Sequence, residues 1–211
     1  FRRLRDGEAD ILIGTQMIAK GWDIENVTLV GVVAADLSLR LPDPYSAERT
    51  FQLLTQVAGR AGRGSRTGQV IVQTYQPQHF AIVAAAAHDY RSFYEQEIQR
   101  RRQFGYDPFR RTARWVVSSR SAEAAARIAE QLAKSCRLII QSLDQGEQVE
   151  IVGPAPAFLY RLRGEYRYQL LAWAPRRERL LTLHKRLGPF YEEARRHEVR
   201  VGVDIDPVKL F

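Results

Sequence analysis

The last hundred residues constrain the fold most, because their apolar pattern changes between strand and helix periods in a recognisable order. Four segments have the short or alternating apolar pattern of strands: 112–119, 148–153, 166–174 and 199–206. One helical pattern begins at Ser121, and a second begins at Pro175. The order β-α-β-β-α-β predicts a ferredoxin-like α+β domain over residues 112–211.

The first part of the chain has a different pattern, in which strands alternate with helical segments. Three apolar runs predict strands: 10–15, 27–36 and 68–75. Between the last two, Ser46 is positioned to cap a helix whose apolar residues recur at helical spacing. This alternation is typical of a parallel sheet in an α/β layer. Residues 1–79 are therefore expected to form part of an α/β nucleotide-binding domain, less than a complete one.

Residues 80–111 predict a helical connector between these two regions. An apolar, Ala-rich helix begins the connector, Asp89 is placed to cap a second helix, and Gly105 is placed to end it. Near that end, residues 100–102 are three consecutive arginines. They are interpreted either as a solvated helix terminus that complements the helix dipole or as a contact to a DNA backbone.

The charge balance favours an acidic partner such as nucleic acid, since Lys and Arg total 32 against 24 Asp and Glu. Cys136 is the single cysteine, which excludes an internal disulfide and a Cys-rich zinc site in this chain and fits a reducing cytoplasm. No signal peptide or long apolar span is recognisable, so no membrane partner is expected. Because the sequence does not begin with Met, it is interpreted as a piece of a longer protein.

A compact cationic motif follows the predicted helix of the first region, at residues 56–63 (QVAGRAGR). Arg60 and Arg63 each follow a glycine, so two planar guanidinium groups lie among small residues that permit close approach. Phosphate oxygens fit this arrangement, and a Gly-rich basic turn at a helix end is the alternative.

The loop after the first predicted strand is the second candidate site, because ligands of parallel sheets bind beyond the carboxyl ends of the strands. Thr15 can offer a hydroxyl to a phosphate, Gly21 permits a tight approach, and Asp23 can accept from a ribose or orient an arginine; a plain surface loop is the alternative. Asp36 resembles a Walker B aspartate. However, no Gly-x-x-x-x-Gly-Lys-Ser/Thr loop precedes it, so this chain alone is not expected to hydrolyse ATP.

A third candidate site, residues 160–168 (YRLRGEYRY), connects the middle strands of the predicted ferredoxin-like domain. Arg161, Arg163 and Arg167 lie among aromatic residues around a glycine turn, a combination that grips phosphates and stacks on exposed bases. In the alternative, the tyrosines pack on one face and the arginines are solvated on the other. A further cluster lies where cations oppose a helix dipole and is also interpreted as a binding feature: Arg176, Arg177 and Arg179.

Residues 15–24 (TQMIAKGWDI) and 56–63 together resemble motifs V and VI of superfamily 2 helicases. The residues of these two segments, together with the AER sequence of residues 47–49, are similar to those of the PriA family of replication-restart DNA helicases. Further segments resemble that family through the connector and to the end of the chain: 97–101, 106–109 and 204–207. Four positions depart from the pattern expected for the family: Trp22, Ile24, Tyr45 and Asp107.

The resemblance implies a role for each candidate residue of the first region, which would be the end of the second RecA-like helicase lobe. Arg63 would be the arginine finger on the γ-phosphate of ATP, with Arg60 beside it at the cleft between the lobes. Gln56 would couple that cleft to bound DNA. Two further pairs are implied to contact DNA and the nucleotide, respectively: Thr15 with Gln16, and Gly21 with Asp23.

For the intact protein the resemblance implies an ATP-dependent 3′ to 5′ DNA helicase that recognises stalled or branched forks and restarts replication by primosome assembly. A first lobe missing from this chain would hold ATP and Mg²⁺, and zinc would belong to the missing upstream region. The implied partners are branched or single-stranded DNA, single-stranded-DNA-binding protein and primosome proteins. Two alternatives remain open: a RecG-like branch-migration helicase, and a non-catalytic nucleic-acid-binding module with a remnant helicase lobe.

Overall fold

The computed structural model describes residues 2–15, 27–41, 43–59, 68–143 and 149–210. The chain divides into two compact units, Phe1–Arg100 and Arg101–Phe211. Each unit is described by itself below. None of the described helices is both long enough and apolar enough to cross a membrane.

The first unit combines a small parallel sheet with helices. Its elements are α1 (Arg2–Arg5), β1 (Leu29–Val32), a 3-10 helix (Ala35–Arg40), α2 (Ser46–Ala58), β2 (Gln69–Val72) and α3 (Phe80–Ala86), followed by α4 (Tyr90–Phe104), which crosses the division between the units. Strands β1 and β2 pair in parallel, with Leu29 opposite Gln69 and Val32 opposite Val72. The parallel sheet predicted for this region is thereby confirmed.

The predicted strand over residues 10–15 is wrong. The described residues of this segment form no strand, and the side chains of Ile11 and Ile13 are 78% and 90% exposed. An apolar run becomes a strand only when a neighbouring strand takes up its backbone N–H and C=O groups. Among the described residues the parallel sheet contains β1 and β2 alone, so this run has no such neighbour.

Helix α2 carries the apolar face of the first unit. The Phe51 ring stacks on the Phe93 ring with centroids 4.2 Å apart, and Leu54 is buried in the same cluster. Ser46 begins the helix without capping it by its side chain; Asp43 shapes this end, because its Oδ1 accepts from the Tyr45 N–H at 2.9 Å. The predicted helix is therefore confirmed, and its predicted cap is wrong.

The ends of α4 agree with the sequence prediction. Asp89 Oδ1 accepts from the Ser92 N–H at 2.9 Å, which satisfies one of the free donors at the start of the helix. Gly105 follows the last helical residue with φ of +64°, a left-handed conformation that glycine adopts without a Cβ penalty.

The second unit is the predicted ferredoxin-like domain. Its elements are β3 (Arg111–Ser119), α5 (Ala122–Gln141), β4 (Glu150–Leu162), β5 (Glu165–Ala174), α6 (Arg177–Arg186), α7 (Gly188–Arg196) and β6 (Arg200–Ile205). The four strands form one antiparallel sheet in the order β4-β5-β3-β6. The β-α-β-β-α-β order is confirmed, with two short helices in place of the second helix.

The sequence pattern predicts one unbroken second helix from Pro175 through Tyr191, and the structure divides it. Helix α6 ends at Arg186, and α7 begins at Gly188 with Pro189 in its first turn. Proline lacks the N–H that a continuous helix needs at that point, and it is tolerated at a helix start. The apolar spacing continues across the break, which is why the pattern alone indicates a single helix.

One face of the antiparallel sheet forms the core of the second unit with α5, α6 and α7. Alternate β3 residues, including Trp115 and Val117, are fully buried against Leu132 of α5 and Leu180 of α6. Helix α5 is held at its start by Ser121, whose side chain accepts from the Ala124 N–H at 3.1 Å. Because strand side chains alternate, the residues between these buried ones point to the opposite face of the sheet.

Candidate nucleic-acid interface

The predicted site residues of the first unit divide into two sets. One set lies outside the described residues: Gln16, Gly21, Asp23, Arg60 and Arg63. The structure describes the other two: Thr15 is exposed at the end of the segment that forms no strand, and Gln56 is half-buried in the last turn of α2. The roles of both sets therefore stay predictions.

Helix α2, which carries Gln56, is anchored at its start by an ion pair. Arg49 Nη1 lies 2.7 Å from Asp43 Oδ2, and both side chains are largely shielded from solvent. The Arg49 guanidinium also lies 5.8 Å from the centre of the Tyr45 ring. Tyr45, one of the positions that depart from the family pattern, thus has a packing role at this helix start.

Asp36 has a structural role that competes with the Walker B hypothesis. Its carboxylate is almost fully buried, Oδ1 accepts from the Tyr75 N–H at 3.1 Å, and Oδ2 lies 3.2 Å from Arg40 Nη2. The Tyr75 hydrogen bond is the main cause that lowers the pKa of Asp36, and Arg40 acts in the same direction. Both oxygens are thus engaged by protein donors, which ties the end of β1 to the end of β2.

The predicted hairpin is formed by β4 and β5, with Arg163 and Gly164 at its tip. Both tip residues have positive φ, 52° and 84°, as a two-residue type I′ turn requires. Leu162 pairs with Glu165, and Arg161 pairs with Tyr166. Since directly opposite residues of an antiparallel pair share a face, Arg161 and Tyr166 lie on the same side of the hairpin.

Tyrosines and one arginine form a cluster on that side of the hairpin. The Tyr160 ring lies 5.4 Å from the Tyr166 ring and 5.7 Å from the Tyr168 ring. The Arg161 guanidinium lies 5.2 Å from the centre of the Tyr166 ring. A cation and aromatic faces are therefore side by side near the tip, where Tyr160 and Arg161 are exposed, while Tyr168 packs against the core of the second unit.

Arg167 does not join this cluster. It lies between Tyr166 and Tyr168 in β5 and is paired with Ser118 of β3, so it points to the face opposite the tyrosines. The structure thus separates Arg167 from Arg161, and it contradicts the alternative in which all three arginines lie opposite the tyrosines. The hairpin presents cations on both sides.

Two other basic clusters of the sequence have partners within their own units. The arginines at the end of α4 pack as follows: Arg100 over the Phe80 ring at 5.1 Å, Arg101 Nη1 to the Asp107 carbonyl oxygen at 3.3 Å, and Arg102 over the Phe109 ring at 5.0 Å. In the cluster at the start of α6, Arg177 Nε lies 3.3 Å from Asp206 Oδ2. These contacts give both clusters a structural role beside the predicted binding role.

Sequence reasoning missed two arginines on the sheet face opposite α5, α6 and α7. Arg114 of β3 pairs with Leu171 and with Asp204, and Arg200 of β6 pairs with Ser118. The available signal was the strand alternation, because Arg114 precedes the core residue Trp115 and must point the other way. Arg200 also forms an ion pair with Glu165, whereas Arg114 has no ion pair among the described residues.

Cys136 and His184 have structural roles in the second unit. Cys136 is fully buried in the core, and burial raises the pKa of its thiol to about 12. His184 Nδ1 lies 2.9 Å from the Tyr191 hydroxyl, which accepts from Trp115 Nε1 at 2.8 Å. Within the described ranges no group of three acidic, His or Cys side chains is arranged to hold a metal ion.

Two protein-family models match this chain. The model described as the primosomal protein N C-terminal domain matches residues 102–208, which is half of the chain and nearly all of the ferredoxin-like unit. The model described as the helicase conserved C-terminal domain matches residues 1–65, and it fits a partial RecA-like lobe in the first unit.

Curated proteins with one name are similar over almost the whole chain. The replication restart protein PriA of Bacillus subtilis (strain 168) is 42% identical over 207 residues, 98% of this chain and 25% of that protein. The protein of the same name from Synechocystis sp. is 39% identical, over 97% of this chain and 24% of that protein. The protein of the same name from Chlamydia muridarum is 38% identical, over 100% of this chain and 27% of that protein. The chain spans about a quarter of the length of these relatives.

Proposed function

The chain belongs to the PriA family of replication restart proteins, and we propose that it supplies the C-terminal part of an ATP-dependent DNA helicase. The helicase would move 3′ to 5′ along DNA at stalled or branched replication forks and prepare them for primosome assembly. The observation that carries the proposal is the order of two matches along one chain, a helicase C-terminal domain followed by the primosomal protein N C-terminal domain.

In this proposal the first unit completes a nucleotide site that a separate lobe begins. Arg63 is the arginine finger that meets the γ-phosphate, with Arg60 beside it, and Gly21 and Asp23 face the nucleotide. Gln56 couples the nucleotide-binding cleft between the lobes to bound DNA. Position in the chain supports this role for Gln56, since it lies in the last turn of α2 and is the first residue of the motif that contains Arg60 and Arg63.

The described residues of this chain do not fit a complete site for Mg²⁺ and ATP. The best-placed carboxylate, Asp36, is buried and engaged by Tyr75 and Arg40. Mg²⁺ and the triphosphate would therefore be held by the first lobe of the intact protein, and this chain alone is inactive as an ATPase. Zinc would likewise belong to the upstream region.

DNA contacts in the proposal come from both units. Thr15 and Gln16 meet the strand that passes through the motor, and the hairpin arginines Arg161 and Arg163 grip backbone phosphates beside the tyrosine cluster. The 5.2 Å contact between Arg161 and Tyr166 supports this assignment, because it pairs a cation with a stacking surface. Branched or single-stranded DNA, single-stranded-DNA-binding protein and other primosome proteins are the proposed partners, in the cytoplasm.

Replacing Arg63 in the intact protein tests the enzyme assignment. An arginine finger neutralises charge that develops in the transition state, so Arg63→Ala is expected to lower DNA-stimulated ATP hydrolysis by on the order of a thousandfold. Arg91→Ala is the matched control, since Arg91 is an exposed arginine of α4 whose Nε lies 3.0 Å from Glu95 Oε1, one turn along the same helix. Steady-state ATPase assays with and without forked DNA measure both variants.

Two results separate the enzyme from a non-catalytic DNA-binding module. A large loss in Arg63→Ala with normal fork binding supports the finger. If Arg63→Ala hydrolyses ATP as fast as Arg91→Ala on forked DNA, the arginine-finger assignment is wrong.

A further inference from the structure

The antiparallel sheet has a second face, opposite α5, α6 and α7, that the hairpin assignment does not use. We call it the second sheet face and define it by Arg114 of β3 and by Arg167, Gln169, Leu171 and Trp173 of β5. These residues alternate with core residues of the same strands, including Trp115 and Leu170. All five are half-buried, and none of α5, α6 and α7 packs against this side.

Two polar atoms on the second sheet face lack hydrogen-bond partners. Arg114 Nε and Gln169 Oε1 are both buried from solvent, and neither has a partner among the described residues. Their strands are adjacent, because Arg114 and Val116 of β3 pair with Leu171 and Gln169 of β5. Native proteins satisfy nearly all such buried groups, so a donor and an acceptor left without partners on one face indicate a ligand that brings both functions.

Arg114 and Arg167 are neighbouring cations on this face, and Asp204 is the carboxylate that pairs with Arg114 across β3 and β6. Burial, and next the neighbouring guanidinium of Arg167, lower the pKa of Arg114, and only Asp204 acts in the opposite direction. Two like charges that face one half-buried surface favour an anion between them. The other arginine of this side, Arg200, is already paired with Glu165.

We propose that the second sheet face binds a segment of single-stranded nucleic acid. Backbone phosphate oxygens accept from Arg114 and Arg167, a base N–H donates to Gln169 Oε1, and Trp173 offers an aromatic plane on which a base stacks. The proposal rests on the DNA-binding role proposed above, and it adds a contact surface on the side of the sheet away from Arg161. An acidic peptide could occupy the arginines, but it would leave the aromatic plane without its stacking partner.

Salt-dependent binding of the 211-residue chain to an oligodeoxythymidylate of about 20 nucleotides tests the proposal. Counterion release makes the log–log salt slope shallower by roughly 0.7 for each single-strand phosphate that the protein no longer neutralises. Arg114→Gln and Arg167→Gln are each expected to remove one such phosphate interaction, and both to weaken binding. Arg127→Gln is the matched control, since Arg127 is exposed on α5, in the helix layer on the other side of the sheet, and should keep the parent slope.

A second measurement needs no variant, so its result does not depend on whether a variant folds. In the unaltered chain, the Arg114 Nε–H resonance in a nitrogen-15 correlation spectrum should move on addition of the oligonucleotide, as this donor gains a phosphate oxygen. If the resonance stays in place while the oligonucleotide binds, or if polyglutamate moves it more than the oligonucleotide does, the second sheet face is not a nucleic-acid site.

The hairpin variant Arg161→Glu with Arg163→Glu distinguishes this proposal from the DNA-binding role on which it rests. Weakened binding in the hairpin variant together with unchanged slopes in Arg114→Gln and Arg167→Gln leaves the hairpin role intact and overturns the sheet-face proposal. A chain that binds no oligonucleotide at all overturns both. Weakened binding in both sets of variants supports two separate DNA contacts on opposite sides of the sheet.

Discussion

The two units differ in how fully their sheets are covered. In the second unit, helices cover one face of a four-stranded sheet, and Trp115 and Leu170 are buried almost completely. In the first unit, the described sheet has two parallel strands whose residues Leu29 and Ile71 are 57% and 53% exposed. Parallel strands are normally covered on both faces, so the first sheet, within the described residues, lacks packing partners that the second has.

The second unit should be the more stable of the two by its own contacts. The core of the second unit is built from residues within that unit, including all four strands. The first unit is held mainly by α2, α3 and the aromatic contact of Phe51 with Phe93, beside a sheet with exposed apolar residues. Changes that act on buried contacts should therefore have their largest effects in the second unit.

Leu132→Ala should have the largest effect on stability. Leu132 of α5 is fully buried in the core of the second unit, and its truncation removes apolar contact and leaves a cavity, at a cost of about 2–5 kcal/mol. Urea unfolding followed by hydrogen-exchange mass spectrometry measures the two units separately. The corresponding truncation in the first sheet, Ile71→Ala, should change the free energy of unfolding by no more than about 0.5 kcal/mol.

Leu138→Ala is the matched control for this comparison, because Leu138 lies on the same helix and is 59% exposed. It should behave as Ile71→Ala does. A cost at Ile71 as large as that at Leu132 would contradict the comparison, because it would mean that the first sheet depends on its apolar side chains as strongly as a closed core does.

Tyr191→Phe should have an intermediate effect, through a polar contact at the edge of the same core. The Tyr191 hydroxyl accepts from Trp115 Nε1 at 2.8 Å, and burial is the main cause that raises the pKa of Tyr191 to about 12. Removing the hydroxyl leaves the indole N–H of a fully buried residue without an acceptor, at a cost of about 1–3 kcal/mol. Thermal unfolding measures the loss.

Tyr94→Phe in α4 is the control for the hydroxyl itself, since Tyr94 is half exposed. Its effect should lie within about 0.5 kcal/mol. Equal melting temperatures for Tyr191→Phe and the parent would show that the Trp115 contact adds nothing to the stability of the second unit.

The second unit could be predicted well because its segments are long and change period clearly. Alternation around Trp115 and the long apolar repeat of α5 each point to one element, and the order of elements permits few topologies. The break between α6 and α7 was missed because apolar spacing outweighed the Gly188–Pro189 pair in the interpretation. In the first unit, the apolar run at residues 10–15 is too short to predict a strand by itself, since a short apolar segment becomes a strand only beside a partner strand.

The candidate site shows a second limit, which is set by strand geometry. Arg161, Arg163 and Arg167 are close in sequence and are predicted as one surface, but pairing places Arg167 opposite Arg161. Side-chain direction in a hairpin depends on register, and β4 has a shift between Pro156 and Arg161 that the sequence does not reveal. Arg114 was not predicted as a site residue for a similar reason. The apolar pattern around Trp115 indicates only the core side of the strand, and Arg114 lies on the other side.

The smallest expected effect concerns pH and the first unit. The folded-state pKa of Asp36 lies below its ordinary value, chiefly because the Tyr75 N–H donates to its carboxylate. A lowered pKa means that the stabilisation is present above the unfolded-state pKa near ~4 and is lost as the pH falls through the lower folded-state value. Asp36→Asn should therefore remove part of the acid sensitivity of the first unit and leave that of the second unchanged.

The Tyr75 amide resonance, titrated from neutral pH down into the acid range, measures this effect directly. It should move with Asp36 in the parent and stay fixed in Asp36→Asn, because the hydrogen bond between the Tyr75 N–H and the Asp36 carboxylate is the link that titrates. Asp10→Asn, at an exposed carboxylate, should titrate like the parent. A Tyr75 amide that moves equally in all three proteins would mean that another group controls this link between the ends of β1 and β2.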